Sequence, residues 1–232
     1  MMCVMPFQDL SDPTPFSLKM NIRLMEDNIK KESEDIEMAN VTCRVRIFAP
    51  IDANGNLIQT YDSTGRGHYD LQILSSGEID GRNFTNPILS YGHGGDPVVA
   101  IFEPGRETSV YTGKRVRLFH WTFTTTDTKV TAMISALGTY LNRNTERNYS
   151  NSSGKFVEYD AIKAPYNDYE YTTTNCFRAV AQWCNSLGRS ELQTLYNANN
   201  TGNGYRNYLP WVLLPYYYEE KKYWTKVGDK QY

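Results

Sequence analysis

Neither sign of charge prevails in this chain: 24 Lys and Arg face 26 Asp and Glu, a formal net charge of −2 over 232 residues. A balance this close leaves no electrostatic footprint for phosphate backbones or an anionic bilayer, so nucleic acid is not an expected partner. Long apolar runs are missing as well. No window holds the roughly 18 apolar residues that a membrane span requires, and no span is expected. The opening MMCVMPFQDLSDPTPF lacks the basic start and sustained apolar stretch of a secretory signal. That predicts synthesis in the cytoplasm, with any work elsewhere reached by a specialised export route. Carboxylates paired for glycosidic chemistry are lacking too, since Glu103 and Asp127 have no evident counterparts.

Cysteine is sparse and scattered. Cys3, Cys43, Cys176 and Cys184 follow no metal-ligand spacing, and the last two sit too far apart along one predicted helix to be joined. A disulfide framework, a metal site and an organic cofactor are all unexpected.

What is present is tyrosine, 18 residues of it, in a chain that is 40% hydrophobic and long enough to bury a core. Residues 1–40 read as an N-terminal extension. LMEDNIKKESEDIEMAN is charged and has little apolar face, which suits a solvated helix or a segment ordered by a partner. Residues 41–232 read as a single domain. VTCRVRIFAP alternates as a strand ending at Pro50, and IDANGNLIQTYD suggests a hairpin about Asn54-Gly55. HYDLQILSSGEID and GRNFTNPILSYGH flank Asp80-Gly81, a dipeptide suited to a two-residue type I′ turn. VVAIFEP and KRVRLFHWTF complete a largely antiparallel sheet over residues 41–123. The period then changes, and a helix is predicted over 125–141 with Val130, Ile134, Leu137 and Leu141 on one stripe. NTERNYSNSSGKF reads as a polar loop. The tail YLPWVLLPYYYEEKKYWTKV reads as packed aromatic strand and loop, or as a docking surface. The fold class is α+β, an antiparallel sheet packed against helices.

The most pointed stretch is YEYTTTNCFRAVAQWCNSLG, residues 169–188. Thr174 or Asn175 can cap a helix whose apolar stripe is Phe177, Val180, Ala181, Cys184 and Leu187. Cys184 lies on the stripe and reads as a buried core thiol. Cys176 falls in the first turn, where free N–H groups and the helix dipole favour a thiolate. A cysteine nucleophile needs a base, and the chain holds three histidines, His68, His93 and His120. If Asp80 and Gly81 are the turn, His68 and His93 fall opposite each other on one face. Pro87 in the second strand invites a bulge, and one inserted residue would turn a side chain to the other face. His120, between Phe119 and Trp121, reads as structural.

Gly67-His68 opening a strand, Ser90-Tyr91-Gly92 on the next, and Tyr-rich sequence leading into Asn175-Cys176 at a helix start come in a telling order. That order resembles the circularly permuted branch of the papain-like, NlpC-type cysteine hydrolases, over about residues 60–188. The resemblance implies Cys176 as nucleophile and His68 as base. It implies a polar third residue on the following strand, either His93 or Ser90, with Asn175 and Tyr91 at the substrate and oxyanion positions. The N-terminal extension and a long insertion before the cysteine depart from the pattern.

The resemblance also implies amide hydrolysis through a thioester, with bacterial cell-wall peptide as substrate. A toxin effector delivered by a contact-dependent machine such as type VI secretion, with an immunity or adaptor protein as partner, fits the missing signal. The same scaffold hosts acyltransferases and lipid thioesterases, for which the aromatic tail would line an acyl groove. A non-enzymatic reading also stands: a Tyr- and Asn-rich binding module for protein or glycan.

Overall fold

The alternation in NVTCRVRIFAP becomes β1 (Asn40–Pro50). Its Val41, Cys43, Val45, Ile47 and Ala49 are all buried on one face, as a period of two requires. The structure is a computed structural model that describes residues 39–61, 66–92, 96–106, 113–163, 165–167, 175–199, 209–210, 213 and 224–232. The expected extension, up to residue 38, and most of the aromatic tail lie outside the described residues. Asn40–Tyr232 makes one compact unit.

Around β1 the chain builds β2 (His68–Ile73), β3 (Gly77–Ile79), β4 (Arg82–Phe84), β5 (Ile88–Tyr91) and β6 (Val98–Phe102). After these come β7 (Arg115–Thr126), helix α1 (Asp127–Gly138), β8 (Leu141–Asn148) and β9 (Phe156–Ala161). Helices α2 (Cys176–Ser186) and α3 (Glu191–Asn199) and strand β10 (Thr225–Gln231) complete the described elements. Eight strands form one sheet in the order β10-β7-β1-β2-β5-β6-β9-β8, and β3 and β4 form a separate two-stranded ribbon. Every pairing is antiparallel. The protein is thus α+β, with a large antiparallel sheet and three helices among the described residues.

The two faces of the sheet bury different things. Val45, Leu71 and Trp121 stand side by side on β1, β2 and β7, and they join one cluster with Phe177, Val180 and Cys184 of α2 and Val130, Met133 and Leu137 of α1. This is the helix-bearing face. On the reverse face Phe48, Ile88, Phe102, Leu118 and Phe156 make a second, smaller cluster. Beside it lies a polar strip. Arg46 and Asp70 are directly opposed on β1 and β2, 2% and 0% exposed, and bonded twice at 2.7 Å, Nε to Oδ1 and Nη2 to Oδ2.

Some expectations shift. The predicted helix over 125–141 shortens to α1, because Leu141 turns into β8. The segment expected to be a polar loop is partly this strand, with the unexpected β9 after it. β8 is an edge strand and shows no apolar alternation: Arg147 reaches Glu158 and Asp160 on β9 instead. β10, the other edge, is nearly all exposed, so neither edge carries a core signal. The expected Asn54-Gly55 hairpin is reduced to a single bridge, Ile51 to Leu57, with Gly55 at φ +81°.

The Asp80-Gly81 turn forms as expected, with φ of +51° and +74°, values that type I′ requires. It closes the β3–β4 ribbon with Gly77 opposite Phe84. Below it the register slips. Between the pairs Gln72–Ile88 and Gly77–Phe84, four residues (73–76) on the first arm face three (85–87) on the second. Asp70 therefore meets Ser90, where the turn alone would set it opposite Tyr91. The extra residue moves the second arm by one, which in a period-two strand exchanges its faces.

A buried ion pair is easily broken and hard to replace by half. Asp70→Asn leaves the Arg46 guanidinium buried without its counter-charge and is expected to cost about 3–5 kcal/mol. The double change Arg46→Met with Asp70→Leu is expected to recover most of that loss. Urea unfolding of the wild type and the two variants measures both values.

Candidate functional site

The site is built where the first turn of α2 meets the start of β2. Asn175 has extended dihedrals (φ −133°, ψ 177°), and its Oδ1 accepts from the Arg178 N–H at 2.9 Å. This is an N-cap bond, and it defines where the helix begins. Phe177, Val180, Ala181, Cys184 and Leu187, the anticipated stripe, are all buried. The Phe177 ring meets Tyr69 edge-on, with centroids 5.1 Å apart. That contact seats the helix start against the second residue of β2.

Cys176 is consequently placed beside that strand. The backbone N–H groups of Tyr69, Phe177 and Cys176 itself act on its sulfur and pull its pKa down. Burial acts more strongly. Only 7% of the residue is exposed, and burial, aided by the Asp70 charge, pushes the thiol up to about 11. The thiolate expected from the helix start is therefore not the resting form. Position in the first turn favours the anion, but desolvation of a charge in a closed core outweighs a helix end.

His68 opens β2 directly after Gly67. A Cβ on Gly67 would lie 2.2 Å from the Phe48 carbonyl oxygen and 2.3 Å from Pro210 Cγ, so only glycine lets the chain enter here. The His68 Nε2 is 2.8 Å from Ser90 Oγ. Both project from the reverse face, with Asp70 opposite Ser90 and Phe48 opposite His68. The structure thus joins His68 to Ser90, and brings Cys176 to the residue after His68. Among the described residues no hydrogen bond links His68 to Cys176 directly. Strand alternation turns the His68 side chain to the face with Ser90, whereas α2 packs on the face of Tyr69.

Of the other candidates, His93 lies outside the described residues. Tyr91 is fully buried on the helix-bearing face; its hydroxyl donates to the Tyr166 carbonyl at 2.9 Å, and its ring meets Tyr166 edge-on. Asn175 is 4% exposed with its oxygen committed to the cap. His120 stands opposite Arg46, and burial with the charges of Arg44, Arg46 and Lys230 pushes its pKa down to about 3. Cys184 is buried and its thiol raised well above the usual range by burial, with the nearby Cys43 adding to the effect. The described residues contain no cluster of three or more metal-ligating side chains, and no helix among them is long and apolar enough to cross a membrane.

Sequence reasoning missed Arg46, Asp70 and the Tyr69 N–H. A signal was present: Arg44, Arg46, His68 and Asp70 recur at alternate strand positions. Alternation alone assigns them to solvent, and it cannot tell that this face is covered. Comparison with family models, with curated proteins and with solved structures returned no match.

Asn175→Ala removes the cap and is expected to lower stability by about 1 kcal/mol, with Asn175→Asp retaining it, as thermal melts will show. His120 must be neutral in the folded protein, whereas its unfolded value is near 6.5. The unfolded chain binds the extra proton between those values, so stability falls as pH drops from 6.5 toward 3. His120→Gln is expected to flatten that slope by one proton in a series of melts across this range.

Proposed function

We propose that the protein is a cysteine hydrolase acting on an amide bond through a thioester, with Cys176 as nucleophile; His68, the base that the resemblance implies, is turned toward Ser90 on the opposite face of the sheet. The observation that carries this reading is the convergence of three backbone N–H groups, those of Tyr69, Cys176 and Phe177, on the Cys176 sulfur at the start of α2.

A thiol with a pKa of about 11 is ionised at about one part in ten thousand at pH 7. The proton therefore leaves as the substrate arrives, not beforehand. Sulfur attacks the carbonyl carbon, and the N–H groups of Cys176 and Phe177 hold the developing oxyanion. Collapse breaks the C–N bond, and the proton given up by the thiol passes to the departing amine. Water then adds to the thioester carbonyl, the C–S bond breaks, and the water's proton regenerates the thiol. Cell-wall peptide as substrate, and an antibacterial effector role, rest on the resemblance of Gly67-His68, Ser90-Tyr91-Gly92 and Asn175-Cys176 to the permuted NlpC-type pattern.

A second reading, a non-enzymatic binding domain, is favoured by the burial of Cys176. Incubation with purified sacculi separates the two. The hydrolase is expected to release soluble muropeptides, and Cys176→Ala none. Sacculi left intact, no acylation burst with an activated ester, and iodoacetamide labelling that climbs only toward pH 11 would leave the binding domain standing.

A further inference from the structure

The reverse face of the sheet carries a cationic cluster that the thiol chemistry neither uses nor requires. Across β1 and β7, Arg46 stands opposite His120 and Arg44 opposite Thr122, so Arg44 and His120 are diagonal neighbours on one face. Arg46 is committed to Asp70 through two bonds. Arg44 and His120 differ. The Arg44 Nε and the His120 Nε2 are each buried, and among the described residues neither atom has a hydrogen-bond partner. Each of these two atoms on diagonal strand positions is short of a partner that an oxyanion would supply.

Charge and access agree with the geometry. Arg44, Arg46 and Lys230 all act on His120, while the carboxylate opposed to this row, Asp70, is engaged by Arg46. Burial and the Arg46 charge also pull the Arg44 pKa down, as expected where positive charge is in local excess. Thr122 and Thr124 on the same face are exposed, and Arg44 and His120 are half-buried.

We propose that Arg44 and His120 form a binding site for an oxyanion, the carboxylate or phosphate group of a ligand, on the face of the sheet opposite the helices. The guanidinium edge offers two parallel N–H groups, the fork that matches either group. His120, neutral and in the tautomer with hydrogen on Nε2, adds a third donor without needing a proton from solution. The bound anion supplies the charge that the row lacks.

Titration of the full chain with sodium phosphate, and separately with sodium acetate, tests the site against sodium chloride at matched ionic strength. Histidine ring signals in nuclear magnetic resonance are the readout, with the His120 signals assigned by their loss in His120→Gln. A saturable shift at His120 is expected with one ion or both, and the tighter of the two identifies the group as phosphate or carboxylate. Arg44→Gln is expected to weaken binding on the order of tenfold. Arg44→Lys, which keeps charge but not the fork, is expected to fall between and serves if the glutamine variant does not fold. Lys114→Gln, the same charge loss at an exposed position, is expected to change affinity by less than about twofold. The absence of a saturable shift with either ion, or an equal loss in Lys114→Gln and Arg44→Gln, overturns the proposal.

Discussion

The ion pair between Arg46 and Asp70 is the constraint on which the arrangement of this domain turns. Two charges almost wholly removed from water are tolerable only when bonded to each other at both ends, and these are, at 2.7 Å each. The pair locks β1 to β2 in one register and lies directly opposite Ser90 on one side and His120 on the other. Its guanidinium sits 5.1 Å over the Phe48 ring. Asp70 raises the Cys176 thiol, and Arg46 lowers His120. A single buried contact thus acts on both the thiol on one face and the cations on the other. Replacing both partners by apolar groups of similar volume would keep the packing and lose that field. Positioning is its contribution more than stability.

The thiol illustrates a competition with a clear winner. Position in the first turn of α2 gives Cys176 its own N–H and that of Phe177, and the neighbouring strand adds Tyr69. Each favours the anion. Burial disfavours it more, because water stabilises a full negative charge better than a few partial positive ones do in a closed core. Chemistry at this sulfur, as proposed, therefore requires a base that acts during the reaction. The imidazole of His68 bonds to Ser90 on the other face of the sheet, and no contact among the described residues brings it to the sulfur.

Much of the local structure was legible in advance. The alternation of VTCRVRIFAP produced β1, Asp80-Gly81 produced its turn with positive φ at both residues, and Asn175 became the cap of a helix whose expected stripe is buried. β8 and β10 were not legible. Edge strands pair on one side only, so hydrophobic alternation is not demanded of them, and LNRNTERN reads like a loop until Glu158 and Asp160 are placed beside Arg147. His93 lies outside the described residues, but the register below the turn differs by one from the one that the turn alone implies, with Asp70 opposite Ser90. Pro87 signalled an irregularity, but its size, one residue, is set by how the β3–β4 ribbon and the β2–β5 pair are each held by their own neighbours.

Residue order alone determined the elements whose causes lie within a few positions: the turn, the cap, the apolar periods, and the placement of Cys176 one residue beyond a capping asparagine. Tertiary structure decided which sheet face is covered, which strand partners stand opposite, and whether a thiol at a helix start is charged. Those outcomes depend on solvent exclusion and on contacts between residues tens of positions apart, and neither is encoded at any one place along the chain.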